Sequence, residues 1–487
     1  MNQMQAIAPA APADAAPAHA ARGPSGRSGV LWSALNGLAG VVVPFVVFAA
    51  FARLMTPAQF ARFAVALAAL ELLKALGPMG LYDILVTREE SDTTAHRGAN
   101  SWLLGGAALL ALAYAGCLAL ADPLLGMVMP WPTYLLCGKL LLDYALMQPQ
   151  AMLVRRKEVR RLGSRSLIAG LAGGVGGFAV GLVATPELGL ALFYLLQAAV
   201  SFGATVWRTD SWRWPALRAS DARPMMAQGI RASGVRLAGA ANSYLDQLVV
   251  GRVFAPALVG DYNLGKRLEV VSITIAGSCA QILWQRAFAT GDLADRRRAL
   301  APGIASAALL CGVPVAGFTV LHAQAVGLIF GRQWQSAALV AALLALSGGM
   351  RALGSVAGAM LTVTGRNGRM LALSLFAASS NLAVILALAP FGLEATAYGV
   401  LLRNMGQCLL QFAALGEMRR HAMGLLWSHF AVPVGVSALA CALAAWAAQG
   451  ALLAWAMPDT LRGLLVLAAG GLAGGLVGLR LLWRRMG

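Results

Sequence analysis

Acidic residues are scarce in this chain. Only 20 Asp and Glu stand against 38 Lys and Arg in 487 residues, and the four types together make up 12% of the sequence. An ordinary soluble domain carries about 25% charged and about 45–50% apolar residues. Here the apolar share is 59% and the mean hydropathy is +0.70. That balance excludes a soluble enzyme of this length and implies an all-α polytopic membrane protein. The net charge of +18 would suit nucleic acid in a soluble chain. In a membrane protein the same excess belongs in cytoplasmic loops, so no nucleic-acid partner is expected.

Cysteine and histidine are few and dispersed. The six cysteines (Cys117, Cys137, Cys279, Cys311, Cys408, Cys441) lie singly in apolar segments, without the paired spacing of a disulfide framework or a zinc site. They read as small buried hydrophobes. The five histidines, His19 and His96 among them, form no ligand pattern. No metal, cofactor or catalytic residue is therefore expected. A cleavable leader is not expected either. Residues 1–28 are Ala- and Pro-rich, which predicts a disordered cytoplasmic tail. The run Ala18-His19-Ala20 precedes the first apolar segment, whereas a cleavage site would follow it.

What the chain does contain is a succession of apolar runs, each long enough to cross a bilayer. Their polar punctuation predicts about fourteen spans. The segments are 30–52, 63–86, 99–121, 124–150, 167–185, 187–207, 229–254, 260–284, 301–326, 337–362, 369–389, 393–416, 425–449 and 460–482. Alternate loops then fall into two sets. The first holds 87–99, 155–165, 208–224, 285–298, 364–369, 417–421 and the tail WRRMG, and carries most of the loop arginines. The second holds Asp122-Pro123, Thr185-Pro186-Glu187, the Pro256 turn and Phe391-Gly392-Leu393. The asymmetry predicts that both termini are cytoplasmic and that the number of spans is even.

An internal repeat organises these spans. Residues 50–63, AFARLMTPAQFARF, align without gaps to 249–262, VVGRVFAPALVGDY. Arg53 matches Arg252, Pro57 matches Pro256, Ala58 matches Ala257 and Phe63 matches Tyr262. Each copy reads as a helix, a Pro-containing turn and a second helix, and both enter the membrane in the same direction. The pattern predicts a parallel duplication, two six-helix lobes related by an axis along the membrane normal. The expected divisions are the tail (1–28), a first lobe (29–207), a cytoplasmic linker (208–228), a second lobe (229–416) and two peripheral helices (425–482).

The ionisable residues inside the spans are the main functional signal. They are Glu71, Lys74, Lys139, Asp143, Arg236, Asp246, Lys266, Arg267, Glu269, Arg351 and Arg403. Each would cost about 3 kcal/mol or more facing lipid, so they must face one another or a wet cavity. Glu71 and Lys74 are three apart and Lys139 and Asp143 four apart, so each pair shares a helix face. Asp246 lies ten residues before Pro256 and Lys266 ten after it. With about 1.5 Å rise per residue, Asp246 can meet Lys266 or Arg267 across the hairpin. Seven bases against four acids leave three positive charges. A cavity with surplus cation suits an anion such as a phosphate or diphosphate. For Arg236 and Lys266, near helix ends, snorkelling to the membrane edge serves equally well. For Lys74, Arg351 and Arg403, nearer mid-span, a cavity is the better account.

Other features carry less. Trp207, Trp212 and Trp214 among arginines fit interfacial anchoring of the linker, and Asp295-Arg296-Arg297-Arg298 fits a solvated loop. Gly-rich 170–181 allows close helix packing and is no phosphate loop, since no Lys-Ser/Thr follows.

Four stretches carry a resemblance to a known family: LMTPAQFARFAVALA (54–68), LDQLVVGRVFAPALVGDYNLGKRLE (245–269), IFGRQWQSAA (329–338) and LTVTGRNGR (361–369). In their order and spacing the chain, from about residue 28, resembles the O-antigen-type lipid-linked oligosaccharide flippases. These belong to the multidrug/oligosaccharidyl-lipid/polysaccharide exporter superfamily. One departure is QILWQRAFAT (281–290), where the family usually carries a proline. The resemblance implies two six-helix lobes in a V around a cationic cavity, in the bacterial inner membrane. It also implies alternating access that carries an undecaprenyl-diphosphate-linked oligosaccharide from the cytoplasmic to the periplasmic leaflet. Lys74, Lys139, Arg236, Lys266, Arg267, Arg351 and Arg403 would then hold the diphosphate, with Glu71, Asp143, Asp246 and Glu269 as charge partners. The protein would act as a monomer, not as an enzyme, alongside polysaccharide polymerase and export machinery. A drug or cation antiporter of the same superfamily should show surplus acid in its cavity, and a membrane glycan polymerase or ligase a long catalytic loop; neither is present.

Overall fold

The computed structural model describes residues 42–78, 80–87, 92–156, 158–207, 212–215, 223–289, 293–453 and 457–486. The expected disordered tail and most of the 208–228 linker lie outside these residues. The chain is an all-helical polytopic membrane protein, and among the described residues no strand occurs.

The first half opens with α1 (Val42–Leu54). Then come α2 (Pro57–Leu76), α3 (Gly80–Thr87), α4 (Thr93–Ala119), α5 (Ala121–Leu125), α6 (Leu136–Arg155), α7 (Val159–Val183) and α8 (Pro186–Val206). The second half holds α9 (Arg223–Val253), α10 (Pro256–Ala289), α11 (Leu293–Ala307), α12 (Val313–Val320), α13 (His322–Ile329), α14 (Ala338–Val363), α15 (Asn367–Leu388) and α16 (Leu393–Ala413). The short α17 (Arg419–Leu425) leads to α18 (Val432–Leu453) and α19 (Asp459–Met486).

The turns follow from local chemistry. Thr56 caps α2, accepting from the Gln59 N–H at 3.3 Å, while the Gln59 side chain accepts from the Thr56 N–H at 3.0 Å. Pro57 supplies the first helical φ, where its missing N–H costs nothing. At α8 Thr185 likewise accepts from the Leu188 N–H and Pro186 opens the helix, without the reciprocal side-chain bond. Pro57 and Pro256, matched in the internal repeat, both open helices immediately after a short turn.

Among the described residues eight helices are long and apolar enough to cross a bilayer, or nine if Pro57–Leu76 and Gly80–Val86 form one bent span. Among the other expected spans, α6, α9, α10 and α16 fall short of that mark because they carry the polar and ionisable residues of the site. The expected span 124–150 is broken: α5 ends at Leu125, Gly126 adopts φ +67°, and a 3-10 turn at Trp131–Leu135 precedes α6. The run there is apolar throughout, so hydropathy alone does not register the break. The expected span 301–326 is met by one apolar span, Ala294–Val320, in which α11 runs through a π turn at 308–312 into α12, with α13 following after Leu321.

Helix α14 is the axis of the second half, packed on α10 and α16, with 78% of its span buried. In the first half α6 packs on α4 and α8, and α7 lies along α8. The halves meet where α2 packs on α9 and α10. Helices α18 and α19 pack on each other and against α12. Arg53, Arg332 and Asp459 line one cavity on the face of the proline turns. Asn100 and Arg97 bond to the carbonyls of Arg213 and Trp214 at 2.7 and 3.2 Å, fastening 212–215 to the first half.

The close contact of α7 and α8 depends on glycine. A Cβ on Gly177 would stand 2.6 Å from the Gly189 carbonyl oxygen, a backbone atom that cannot yield without parting the helices. Gly177→Val is expected to lower the unfolding midpoint in detergent, by the equivalent of about 1–3 kcal/mol. An unchanged midpoint would show that the α7–α8 contact bears little weight.

Candidate functional site

Burying a charge without a partner costs several kcal/mol, and the spans satisfy this requirement with two separate ionic assemblies. In the first half, α2 and α6 set two pairs face to face. Lys74 Nζ lies 2.6 Å from Glu71 and 3.3 Å from Asp143. Lys139 Nζ lies 2.5 Å from Asp143 and 3.4 Å from Glu71. The four alternate in sign around a ring, so each carboxylate touches both ammonium groups and the ring is neutral. Tyr144, one residue beyond Asp143, donates to the Lys74 carbonyl at 2.6 Å and ties α6 to the end of α2.

In the second half the assembly is a chain. Asp246 on α9 meets Lys266 on α10 at 2.8 Å. Lys266 meets Glu269 one turn later at 2.6 Å, and Glu269 meets Arg351 of α14 at 2.8 Å. The Tyr262 hydroxyl donates to Asp246 at 2.9 Å. Arg351 reaches Glu269 because Gly348, one turn earlier, lets α14 lie against the Glu269 backbone; a Cβ there would stand 2.6 Å from its carbonyl oxygen. Asp246, Lys266 and Glu269 are 2%, 3% and 1% exposed, so Lys266 is enclosed with its two carboxylates rather than extended to the surface.

Two arginines remain without a carboxylate within 4 Å among the described residues. Arg403 on α16 donates to Ser380 Oγ at 3.1 Å and Asn242 Oδ1 at 3.3 Å, and also to Asn404 Oδ1 and the Ala377 carbonyl. All four acceptors are neutral, so its charge is solvated but not cancelled. Arg267 lies over the face of Phe48, 5.7 Å from the ring centroid, a contact that holds a cation without neutralising it. The side chain of Arg236 lies outside the described residues.

Arg267 is also where the halves face each other across open space. It lines two adjoining cavities of about 100 Å³ each, which share Tyr194, Arg267 and Val270. One is bounded by Pro44, Phe45 and Phe48 from α1, the other by Glu71, Tyr244, Gln247, Asn263 and Lys266. A third cavity, of about 200 Å³, lies within the second half against Arg351, Arg403, Asn242, Asn404 and Gln407. Of the eleven ionisable residues singled out in the sequence, ten are described, and they partition into ring, chain and two surplus arginines.

The neutral residues Tyr194, Tyr244, Gln247 and Asn263 were not singled out in the sequence. A signal was available: Tyr244 and Gln247 are three apart on the helix of Asp246, and Asn263 lies three and four residues before Lys266 and Arg267. Asn263 thus shares the helix face of those two bases, and Tyr244 and Gln247 share a face with each other. Gln247 and Asn263 each spend an amide N–H on a backbone carbonyl of their own helix, at 3.2 and 2.8 Å. Among the described residues no group of His, Cys, Asp and Glu is arranged to hold a metal.

Comparison with known proteins adds three findings. Residues 50–339 match the family described as "Polysaccharide biosynthesis protein". No curated protein matches the chain by sequence. The fold is similar to that of the lipid II flippase MurJ in an inward closed conformation, with a TM-score of 0.67 at 10% identity over 93% of this chain and 98% of that one. It is also similar to an inward-facing multidrug resistance MATE family transporter of the MOP superfamily, at 0.58 and 16%, over 83% and 96%. A MOP superfamily transporter from Pyrococcus furiosus, whose binding pocket has reverse polarity, matches at 0.57 and 14%, over 82% and 96%. At these identities the likeness is one of fold.

The two ionic assemblies should respond differently to losing a lysine. Lys74→Met leaves both acids of the ring in contact with Lys139. Lys266→Met strands Asp246, whose side chain is fully buried, at a cost of about 3–5 kcal/mol. Thermal unfolding in detergent is expected to show the larger loss for Lys266→Met; the reverse order would contradict the pairing described.

Proposed function

Because the chain belongs to the polysaccharide biosynthesis protein family, we propose that it is a flippase for undecaprenyl-diphosphate-linked oligosaccharides, moving them from the cytoplasmic to the periplasmic leaflet by alternating access. The carrying observation is Arg267, a guanidinium without a carboxylate on the wall between the two halves. A diphosphate offers several anionic oxygens to the fork of donors that such a side chain presents. Arg403 adds a second uncancelled charge from within the second lobe. On this reading Arg236 belongs to the same field.

The remaining cations play a different part. Lys74, Lys139, Lys266 and Arg351 are held by Glu71, Asp143, Asp246 and Glu269. They set the cavity's electrostatics, and exchange partners as the lobes move. The neutral groups beside Arg267, among them Gln247, Asn263 and Tyr244, suit the hydroxyl-rich sugar that follows the diphosphate. The mutual approach of the halves through α2, α9 and α10 is the surface about which two six-helix lobes would rock.

The protein is then a carrier rather than an enzyme, resident in the bacterial inner membrane with both termini cytoplasmic. The fold is equally compatible with a drug antiporter. The charge is what separates the two readings, since a cationic drug would meet uncancelled arginine in the cavity while an anion is drawn to it.

Reconstitution tests this reading. Proteoliposomes of the wild type are expected to translocate a fluorescent lipid-diphosphate oligosaccharide. Arg267→Gln should slow translocation about 10-fold or more, the scale of one charge-assisted hydrogen bond. Efflux of small organic cations without lipid translocation would overturn the flippase in favour of the antiporter.

A further inference from the structure

On the face of the proline turns, two helix C-termini from opposite halves cap one another. The last carbonyls of a helix have no partner within it. Those of α1 find theirs in the segment after α13: Ala52 O accepts from Trp334 Nε1 at 2.7 Å and from Gln333 Nε2 at 3.1 Å, and Arg53 O accepts from Gln333 Nε2 at 3.2 Å. Those of α13 find theirs in α1: Arg53 Nε donates to Ile329 O at 2.9 Å, and Arg53 Nη2 donates to Leu328 O. About 280 residues separate the partners, so neither terminus is capped by its own neighbourhood.

An aromatic cluster lies beneath these bonds. Trp334 is fully buried and meets Phe60 edge to face at 5.5 Å. Phe330 meets Phe45 at 6.0 Å and Phe48 at 5.9 Å in the same manner. Arg53 and Gln333, by contrast, are exposed. The contact is therefore a dry aromatic centre with a polar rim at the aqueous edge.

We infer that this reciprocal cap is a latch, closed in one state of the transport cycle and broken in the other. Parting the halves on this face would free all four carbonyls at once. The carbonyls of Leu328, Ile329 and Arg53 lie at the exposed rim, where water can replace their donors, while the Ala52–Trp334 bond is buried beneath them, so the rim bonds hold the closed face without making it permanent. A contact meant only to hold the fold together would gain nothing from carbonyls that water can satisfy equally well. The inference concerns the opening of a face and does not depend on the substrate proposed above.

The test is accessibility of a residue the latch covers. Met55 is 1% exposed beside the latch, whereas Leu54 is 36% exposed on the same face. In a chain with the six native cysteines replaced, Met55→Cys is treated with a membrane-impermeant maleimide. Trp334→Phe keeps a ring against Phe60 and removes the indole donor, and Arg53→Met removes the opposite donors at an exposed position. Each is expected to speed labelling at Met55→Cys by about 10-fold, as the open population rises. Labelling at Leu54→Cys should be unchanged, and a cysteine at fully buried Leu70 should stay unlabelled, showing that the fold is intact. Equal labelling of Met55→Cys in the latch variants and the parent, with Leu70→Cys protected throughout, would overturn the latch.

Discussion

Ionisable side chains cannot be left unpaired inside an apolar helix, and most of the interior arrangement of this protein answers that constraint. Asp246, Lys266, Glu269 and Arg351 come from α9, α10 and α14. Bringing them into contact fixes the spacing and rotation of those three helices together. The ring of Glu71, Lys74, Lys139 and Asp143 does the same for α2 and α6. Small residues at the crossings then become a requirement, since charges one turn from a tight crossing meet only if the backbones come close, as at Gly348. Pairing consumes four of the bases. The cost of the remaining positive charge is met by other means, neutral oxygens around Arg403 and an aromatic face beneath Arg267.

Much of this could be read from the chain. The symmetric placement of Asp246 and Lys266 about Pro256 gives their contact, because a short turn between two helices leaves them antiparallel. The sequence left Lys266 and Arg267 open as partners of Asp246. Adjacent helical residues point about 100° apart, and the structure turns Lys266 to the acid and Arg267 to the cavity. Pairing within each helix of the first half was equally legible, from spacings of three and four. The cross-links between α2 and α6 were not, because nothing local relates residues 68 and 69 positions apart. The contact of Glu269 with Arg351 is of the same kind, 82 positions apart. The break between α5 and α6 escaped for another reason: its residues are as apolar as a span, and backbone geometry at Gly126 decides it.

The cavity wall at Arg267 and the proline-turn face are physically joined. Phe48 carries Arg267 on its face and meets Phe330 beside Trp334. A movement of α1 that opened the proline-turn face would therefore also alter the support of Arg267. Two halves that meet mainly through α2, α9 and α10, with cavities rather than packed core beside Arg267, have the form expected of a carrier. The fold is similar to those of a lipid II flippase and a MATE family transporter, and the proposed function rests on the uncancelled charge to distinguish the two readings.

Equilibrium binding in nanodiscs, free of any transport step, tests the central claim most directly. The probes are three isoprenoids that share one tail: farnesyl diphosphate, farnesyl monophosphate and farnesol. The account predicts that affinity falls in that order and that the diphosphate's advantage shrinks as salt rises, since it rests on charge. Equal affinity for all three, or tighter binding of farnesol, would contradict a cavity built around surplus arginine.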